Sequence, residues 1–470
     1  MILQYVYGPV LNFLYDKITS KVNIVVRNYI IGICFFGIFC VQFLNLYGHH
    51  VMCSVSNDLR DLIIFFLMGS IILFSVNQKL FPLKWNKIIY IPFVFVGITV
   101  LGVGFLHKIG SSSRAFSLFV FMIVICLAYV WGNRRDYNTL FQLVTKAYLL
   151  FFALLFIYAI LREPLFSREA YTIMDMNENG FAKLIAPATA CSIYLFVLED
   201  VRWKRIVYAA IAGISAYITV CTTCRAGILA LIVIAIFYLI LFYIRTGNLN
   251  KKYFKTSMLL LIIAVISICF TGLFLKYATP ALAGENRFCH RLEYCGQKTT
   301  QAAEIAVRNQ NKAEKAQIPG SYESYKQKTE QKIDNSKVLC KLDNVFSGRL
   351  VYWAMYFKKM SLTGTSKQLV PAGPHNQFIE FAYKVGIFTG IAWLFLLIAI
   401  GVLIVRGVIE KKSNWVYFVT LMYPVFAVIA MLDTGLFPLE RGFIFLYYMS
   451  IVPLLVKRDD YEVPKNEISV

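Results

Sequence analysis

Twelve apolar runs of about 20 residues, each bounded by charge or by Gly, Asn and Pro, constrain this 470-residue chain more than any other feature. Lipid offers backbone N–H and C=O groups no partner, so a chain crosses a hydrocarbon core about 30 Å thick as helices that satisfy those groups internally. The runs fall at 29–47, 60–76, 87–106, 115–132, 142–161, 178–198, 205–223, 226–245, 256–276, 384–405, 415–432 and 437–456. The reading is therefore an all-α polytopic membrane protein with about 12 transmembrane helices. Apolar residues are 59% of the chain, against roughly 45–50% in soluble domains. That composition excludes a soluble enzyme, a secreted disulfide miniprotein and a disordered tail.

Charge then sets the expected sidedness. Lys and Arg number 47 and Asp and Glu 26, a net charge of +21. In a polar protein that excess would suggest nucleic acid; here it sits in short clusters between apolar runs and matches an anionic membrane surface, so no nucleic-acid partner is expected. With the N-terminus inside, the segments on that side carry 22 Lys or Arg, while the short loops opposite hold seven: Arg60, Lys108, Arg114, Arg162, Arg168, Arg225 and Arg441. This bias predicts two cytoplasmic termini and a multi-pass chain without a cleavable signal peptide. Residues 1–28, with Tyr5, Tyr7, Phe13 and Tyr15, read as an interfacial helix or a cytoplasmic tail. The expected organisation continues with helices 1–9 over 29–276, a large outside loop or cap over 277–376 that carries site segments, helices 10–12 over 377–456, and a cytoplasmic tail over 457–470.

The cap lies between the ninth and tenth spans. A connection of about a hundred residues is uncommon unless it has a function. From Lys276 to His375 it carries 16 Lys or Arg against 8 Asp or Glu, an excess suited to a polyanion or to a solvated face. Of the 11 cysteines, Cys289, Cys295 and Cys340 lie there, and in an oxidising compartment two of the three are expected to bridge. Cys221 and Cys224 form a lone C-x-x-C with no second pair to complete a zinc site.

Polar residues at membrane depth or at helix ends are the candidates for chemistry. Arg225 ends the turn Cys221-Thr222-Thr223-Cys224 between two spans and is either a snorkelling cation or an anion clamp. Arg349, in Ser347-Gly348-Arg349-Leu350, opens an amphipathic aromatic helix, where it meets the unfavourable end of the helix dipole and a bound phosphate would relieve it. Arg441 is delivered by the last outside loop, with Glu440 or Asp433 as alternative partners. The strongest pattern is Pro371-Ala372-Gly373-Pro374-His375-Asn376, which opens a helix expected to run into the tenth span. His375 can exchange a proton near neutral pH, and Gly386 and Gly390 allow close helix approach. The calcium-like Asp175-x-Asn177-x-Asn179 lacks the acidic twelfth ligand, Ala186 standing there, and Gly102-Val103-Gly104 lacks a third glycine. No metal site and no cofactor are expected.

The string from His375 through Asn376, Gly386 and Thr389 resembles the His-[Asn/Ser/Gln]-x9-Gly-x-x-[Gly/Thr/Tyr] signature of the O-antigen ligases, within the O-antigen ligase and polymerase superfamily. The turn ending in Arg225, the Gly-Arg-Leu at Arg349, the Arg441 opening the last span and the Asn-rich start at Asn177 and Asn179 are similar to that superfamily over roughly 170–445. Cys224 before Arg225 and the Lys-rich cap depart from it. The resemblance implies a bacterial inner-membrane enzyme that moves a glycan from undecaprenyl diphosphate to a lipid A-core sugar hydroxyl on the periplasmic face. It implies a metal-independent, inverting transfer with His375 as general base, Arg225, Arg349 and Arg441 as diphosphate clamp, and Asn376, Gly386 and Thr389 in support. The alternatives are an O-antigen polymerase and, from another class, a polysaccharide transporter or flippase. Against the latter, the basic residues within the expected spans are few and lie toward span ends, Lys183 and Lys384 among them.

Overall fold

The structure is a computed structural model that describes residues 3–47, 55–106, 116–134, 136–162, 178–246, 251–274, 277, 349–365, 375–410, 415–432 and 444–457. Among them the regular elements are helical, with one isolated bridge between Trp85 and Val456. The helices are α1 (Leu3–Lys17), α2 (Ile24–Tyr47), α3 (Asn57–Ser75), α4 (Lys87–Leu106), α5 (Phe116–Asn133), α6 (Tyr137–Arg162), α7 (Glu178–Leu198) and α8 (Arg202–Cys221). They continue as α9 (Arg225–Thr246), α10 (Lys251–Leu273), α11 (Arg349–Lys359), α12 (Gln377–Lys384), α13 (Ile387–Ile409), α14 (Trp415–Leu432) and α15 (Ile444–Ile451).

Nine of these helices, among the described residues, are long and apolar enough to cross a membrane: α2, α4, α5, α6, α7, α8, α10, α13 and α14. The chain is thus a multi-pass helical membrane protein. The three other expected spans are also helical. In α3, Asp58, Arg60 and Asp61 occupy the first turns. In α9 and α15 the apolar stretches within the described residues are Arg225–Leu241 and Ile444–Leu454, and residues 437–443 of the last expected span lie outside the described residues. Most of the expected cap lies outside the described residues.

Helix α14 is central and packs on α6, α7, α9, α12, α13 and α15. Its enclosure follows from composition: Val416, Phe418, Val419, Leu421, Met422, Val425 and Phe426 are buried all round the helix, which is how a helix surrounded by other helices reads. The α7–α8 contact adds a buried hydrogen bond between the Thr189 and Ser215 hydroxyls at 2.8 Å, a pairing that lipid cannot supply. By contrast α10 borders α8 and presents Leu261, Ile262, Val265, Ile266 and Phe270 outward, as a lipid-facing helix does.

The N-terminal segment forms a helix. One face of α1 buries Gln4, Gly8 and Leu11, while Tyr5, Val6, Val10 and Phe13 are exposed. The Tyr7 hydroxyl donates to Phe121 O at 2.7 Å, inside the π-helical turn Phe119–Val124 of α5, whose wider winding leaves carbonyls displaced from their usual partners. Burial pushes the Tyr7 phenol up to about 12.

Where α2, α4 and α6 begin and α3 and α5 end, buried polar groups form a knot. Arg134, fully buried, meets the Asp136 carboxylate with two 2.8 Å hydrogen bonds and donates to Asn28 Oδ1 and Ser75 O. Burial alone would raise the Asp136 carboxyl, but the hydrogen bonds and charge of Arg134 win and hold it below the usual carboxylate range. The Arg27 guanidinium donates to Val76 O at 2.8 Å in the same region.

Candidate functional site

The opposite end of the bundle gathers the sequence candidates around the C-terminus of α14. The last carbonyls of a helix have no partner within it and carry its negative dipole end, so they attract donors and cations. Two arrive from distant segments. The Asn376 side-chain amide donates to Met431 O at 3.0 Å, and the Arg349 guanidinium donates to Leu432 O. Arg349 therefore meets the unfavourable start of its own helix α11 while facing the favourable end of another. One N–H is used in that contact, and a guanidinium carries five.

The third arrival is the turn that ends in Arg225. Cys224 and Ala226 pack with Ala182 of α7, and Leu432 lies against that cluster. The turn is built locally by Thr222, whose hydroxyl donates to Thr219 O at 2.7 Å and accepts the Cys224 N–H at 3.2 Å. It is tied to α7 by the Cys224 thiol, which donates to Asn179 Oδ1 at 2.9 Å. Cys221 and Cys224 are not joined in a disulfide. Arg225 itself is exposed at the start of α9, whereas Arg349 and His375 are half-buried.

Backbone conformation marks the same two motifs. Among the described residues, the non-glycine residues with positive φ are Thr223 (+54°) and His375 (+49°). For a β-branched Thr this is a true outlier, and such conformations persist only where the surroundings hold them. Thr223 lies two residues before Arg225, which opens α9, and His375 lies two residues before the start of α12.

Helix α12 differs from the expectation. Instead of running from His375 into the tenth span, it ends after Lys384, and α13 begins at Ile387. The break is Gly386, at φ +125°, which closes α12 by donating from its N–H to Phe381 O at 3.1 Å and then caps α13. The two helices fold against each other where a Cβ on Gly390 would lie 2.5 Å from Ala382 Cβ. Close approach is therefore made to α12 and to the loop at Leu362, whose carbonyl leaves no room for a side chain on Gly386. Lys384 consequently lies outside the membrane helix, paired at 2.6 Å with Glu380. Gly386 and the buried Thr389 sit at the far end of α12, roughly 12 Å from His375 along the helix axis, and form the hinge frame rather than the site mouth.

Of the residues singled out from sequence, Arg225, Arg349, His375 and Asn376 belong to segments brought to one end of α14. Arg441, Cys289, Cys295 and Cys340 lie outside the described residues. Four residues at or near this end were not foreseen as such. The carbonyls of Met431 and Leu432 carry no sequence signal. Glu380 is buried in the first turn of α12, accepting from Lys384 and, at 3.3 Å, from Gln377; its Glu-x3-Lys spacing was the available sign. Lys183, one turn beyond Asn179, is buried in α7, and a lone Lys in an apolar run is its signal. No three His, Cys, Asp or Glu side chains gather as a metal site among the described residues.

The fold defines a multi-pass helical membrane protein, and the segments that carry Arg225, Arg349 and His375 lie at one end of its central helix. No protein-family model matches the chain, and neither curated proteins nor solved structures yield a match.

Proposed function

We propose that the protein is an O-antigen ligase-like glycosyltransferase of the bacterial inner membrane, with its site on the periplasmic face and both termini in the cytoplasm. It moves a glycan from undecaprenyl diphosphate to a sugar hydroxyl of lipid A-core. The observation that carries this reading is the docking of Arg349 and the His375–Asn376 motif on the Leu432 and Met431 carbonyls of α14, with the Arg225 turn packed against Leu432.

The chemistry suits these groups. An acceptor hydroxyl attacks the anomeric carbon, the bond from that carbon to the phosphate oxygen breaks, and the electron pair leaves with the lipid diphosphate. Guanidinium groups are permanently charged and bind phosphate oxygens bidentately, so they stabilise the growing negative charge. His375 accepts the hydroxyl proton, a contribution of typically 10²–10⁴-fold. A single displacement inverts the anomeric configuration. The residues in these roles are His375 as base, Arg225, Arg349 and Arg441 as clamp, and Asn376, Gly386 and Thr389 in support.

The test is transfer by the purified protein from lipid-linked donor to core acceptor, with EDTA present. The expected result is EDTA-resistant product of inverted configuration and a loss of about 10²–10⁴-fold in His375→Ala. Undiminished transfer by His375→Ala refutes the base, and extension of the lipid-linked donor in place of core transfer identifies a polymerase.

A further inference from the structure

Asn376 does two jobs with one amide group. Its Oδ1 accepts the Ile379 N–H at 3.1 Å and caps the N-terminus of α12, while its Nδ2 donates to Met431 O at 3.0 Å at the C-terminus of α14. The residue is 3% exposed, so water does not compete for either bond. His375 is the next residue back and holds φ +49°, a conformation uncommon for residues with a Cβ. The backbone of His375 is therefore fixed on its C-terminal side by a residue clamped between two helix ends. We propose that Asn376 is a positioning residue for His375, holding the imidazole in register with the C-terminal end of α14, where Arg349 docks, through the Met431 bond. This rests on the proposed transfer reaction and assigns within it the division between base and support.

The two bonds are separable by substitution. Asn376→Asp keeps an oxygen for the Ile379 N–H but, as carboxylate, has no hydrogen for Met431 O. Asn376→Ser also keeps a capping oxygen and is too short to span to α14. A cap unrelated to the site serves as the structural control: the Ser56 hydroxyl accepts the Leu59 N–H at the start of α3, and Ser56→Ala removes it.

The experiment uses the full-length protein in nanodiscs and reads two things. The first is the split between kcat and KM for transfer from lipid-linked donor to core acceptor. Asn376→Asp and Asn376→Ser are expected to lose about 10- to 100-fold in kcat with KM held within threefold, as a misplaced base does, while Ser56→Ala keeps wild-type kcat. The second is hydrogen exchange of peptides covering 375–384 and the end of α14, which needs no activity. In both Asn376 variants the α14 end and the His375 turn are expected to exchange faster, with α12 beyond Ile379 still protected. Wild-type exchange at both places in Asn376→Asp and Asn376→Ser overturns the proposal, whatever the activity. So does wild-type kcat in these variants when His375→Ala is inactive. If instead the wild type transfers nothing, or His375→Ala is unimpaired, the transfer reading has failed, and the exchange data decide whether Asn376 positions this turn.

Discussion

Replacing Gly386 with Ala tests the joint on which the His375 segment is mounted. Gly386 has φ +125° and ψ +151°, a region open essentially to glycine alone, and forcing another residue into it costs about 1–3 kcal/mol. A Cβ there also collides with the Leu362 carbonyl, a backbone atom that cannot rotate aside, and overpacking of this kind costs a further ~1–3 kcal/mol. The expected loss is about 2–6 kcal/mol in all. Relief by backbone movement would break the bond from Ile387 N–H to Ser361 O at 3.0 Å, so it offers no easy escape. Gly401 is the matched control: it lies within α13, a Cβ would meet nothing within 4 Å, and Ala there is favoured by up to about 1 kcal/mol of helix propensity. Reversible unfolding of the purified protein in mixed micelles, followed by circular dichroism, compares the two. Gly386→Ala should unfold at much lower denaturant, and Gly401→Ala at the wild-type point or above. A Gly386→Ala loss below about 1 kcal/mol, or one equal to that of Gly401→Ala, refutes the argument from φ and contact.

The remaining expectations separate structural from chemical roles. Arg349→Ala removes a donor from Leu432 O and should lower stability by about 1.5–3 kcal/mol as well as transfer, whereas Arg225→Ala, at an exposed position, should abolish transfer with a smaller loss of stability. Denaturant titration of both variants beside the transfer assay checks this. Asp136 has its carboxyl held below the usual range, so the stability it contributes is present above the unfolded-state value and is lost as pH falls through the folded-state one. Acid titration should show a destabilising step at the low edge of the carboxylate range that Asp136→Ala lacks. At neutral pH that variant, in which the buried Arg134 loses its carboxylate but keeps Asn28 and Ser75 as acceptors, should be about 1–3 kcal/mol less stable.

The membrane-spanning class was legible in the chain because lipid imposes a one-dimensional rule: about 20 apolar residues, charge between them, and a helix to satisfy each backbone group. That rule placed helices where α2 to α10 and α13 to α15 occur. It also drew attention to Arg225, Arg349 and His375, since a cation or imidazole at a helix end stands out against apolar sequence. What the rule cannot encode is which helix ends meet. Arg349 and Leu432 are 83 positions apart, Asn376 and Met431 are 55, and Cys224 and Asn179 are 45. Those pairings depend on α14 being enclosed by its neighbours. The break at Gly386 was hidden for a related reason: an isolated Gly in an apolar run reads as a close-packing site, and only the Leu362 carbonyl and the fold of α12 onto α13 make it a left-handed hinge. The amino-acid order thus settled the solvent, the helices and the residues capable of chemistry. Tertiary packing alone decided that the end of one central helix would draw two of those segments together, with the Arg225 turn packed beside them.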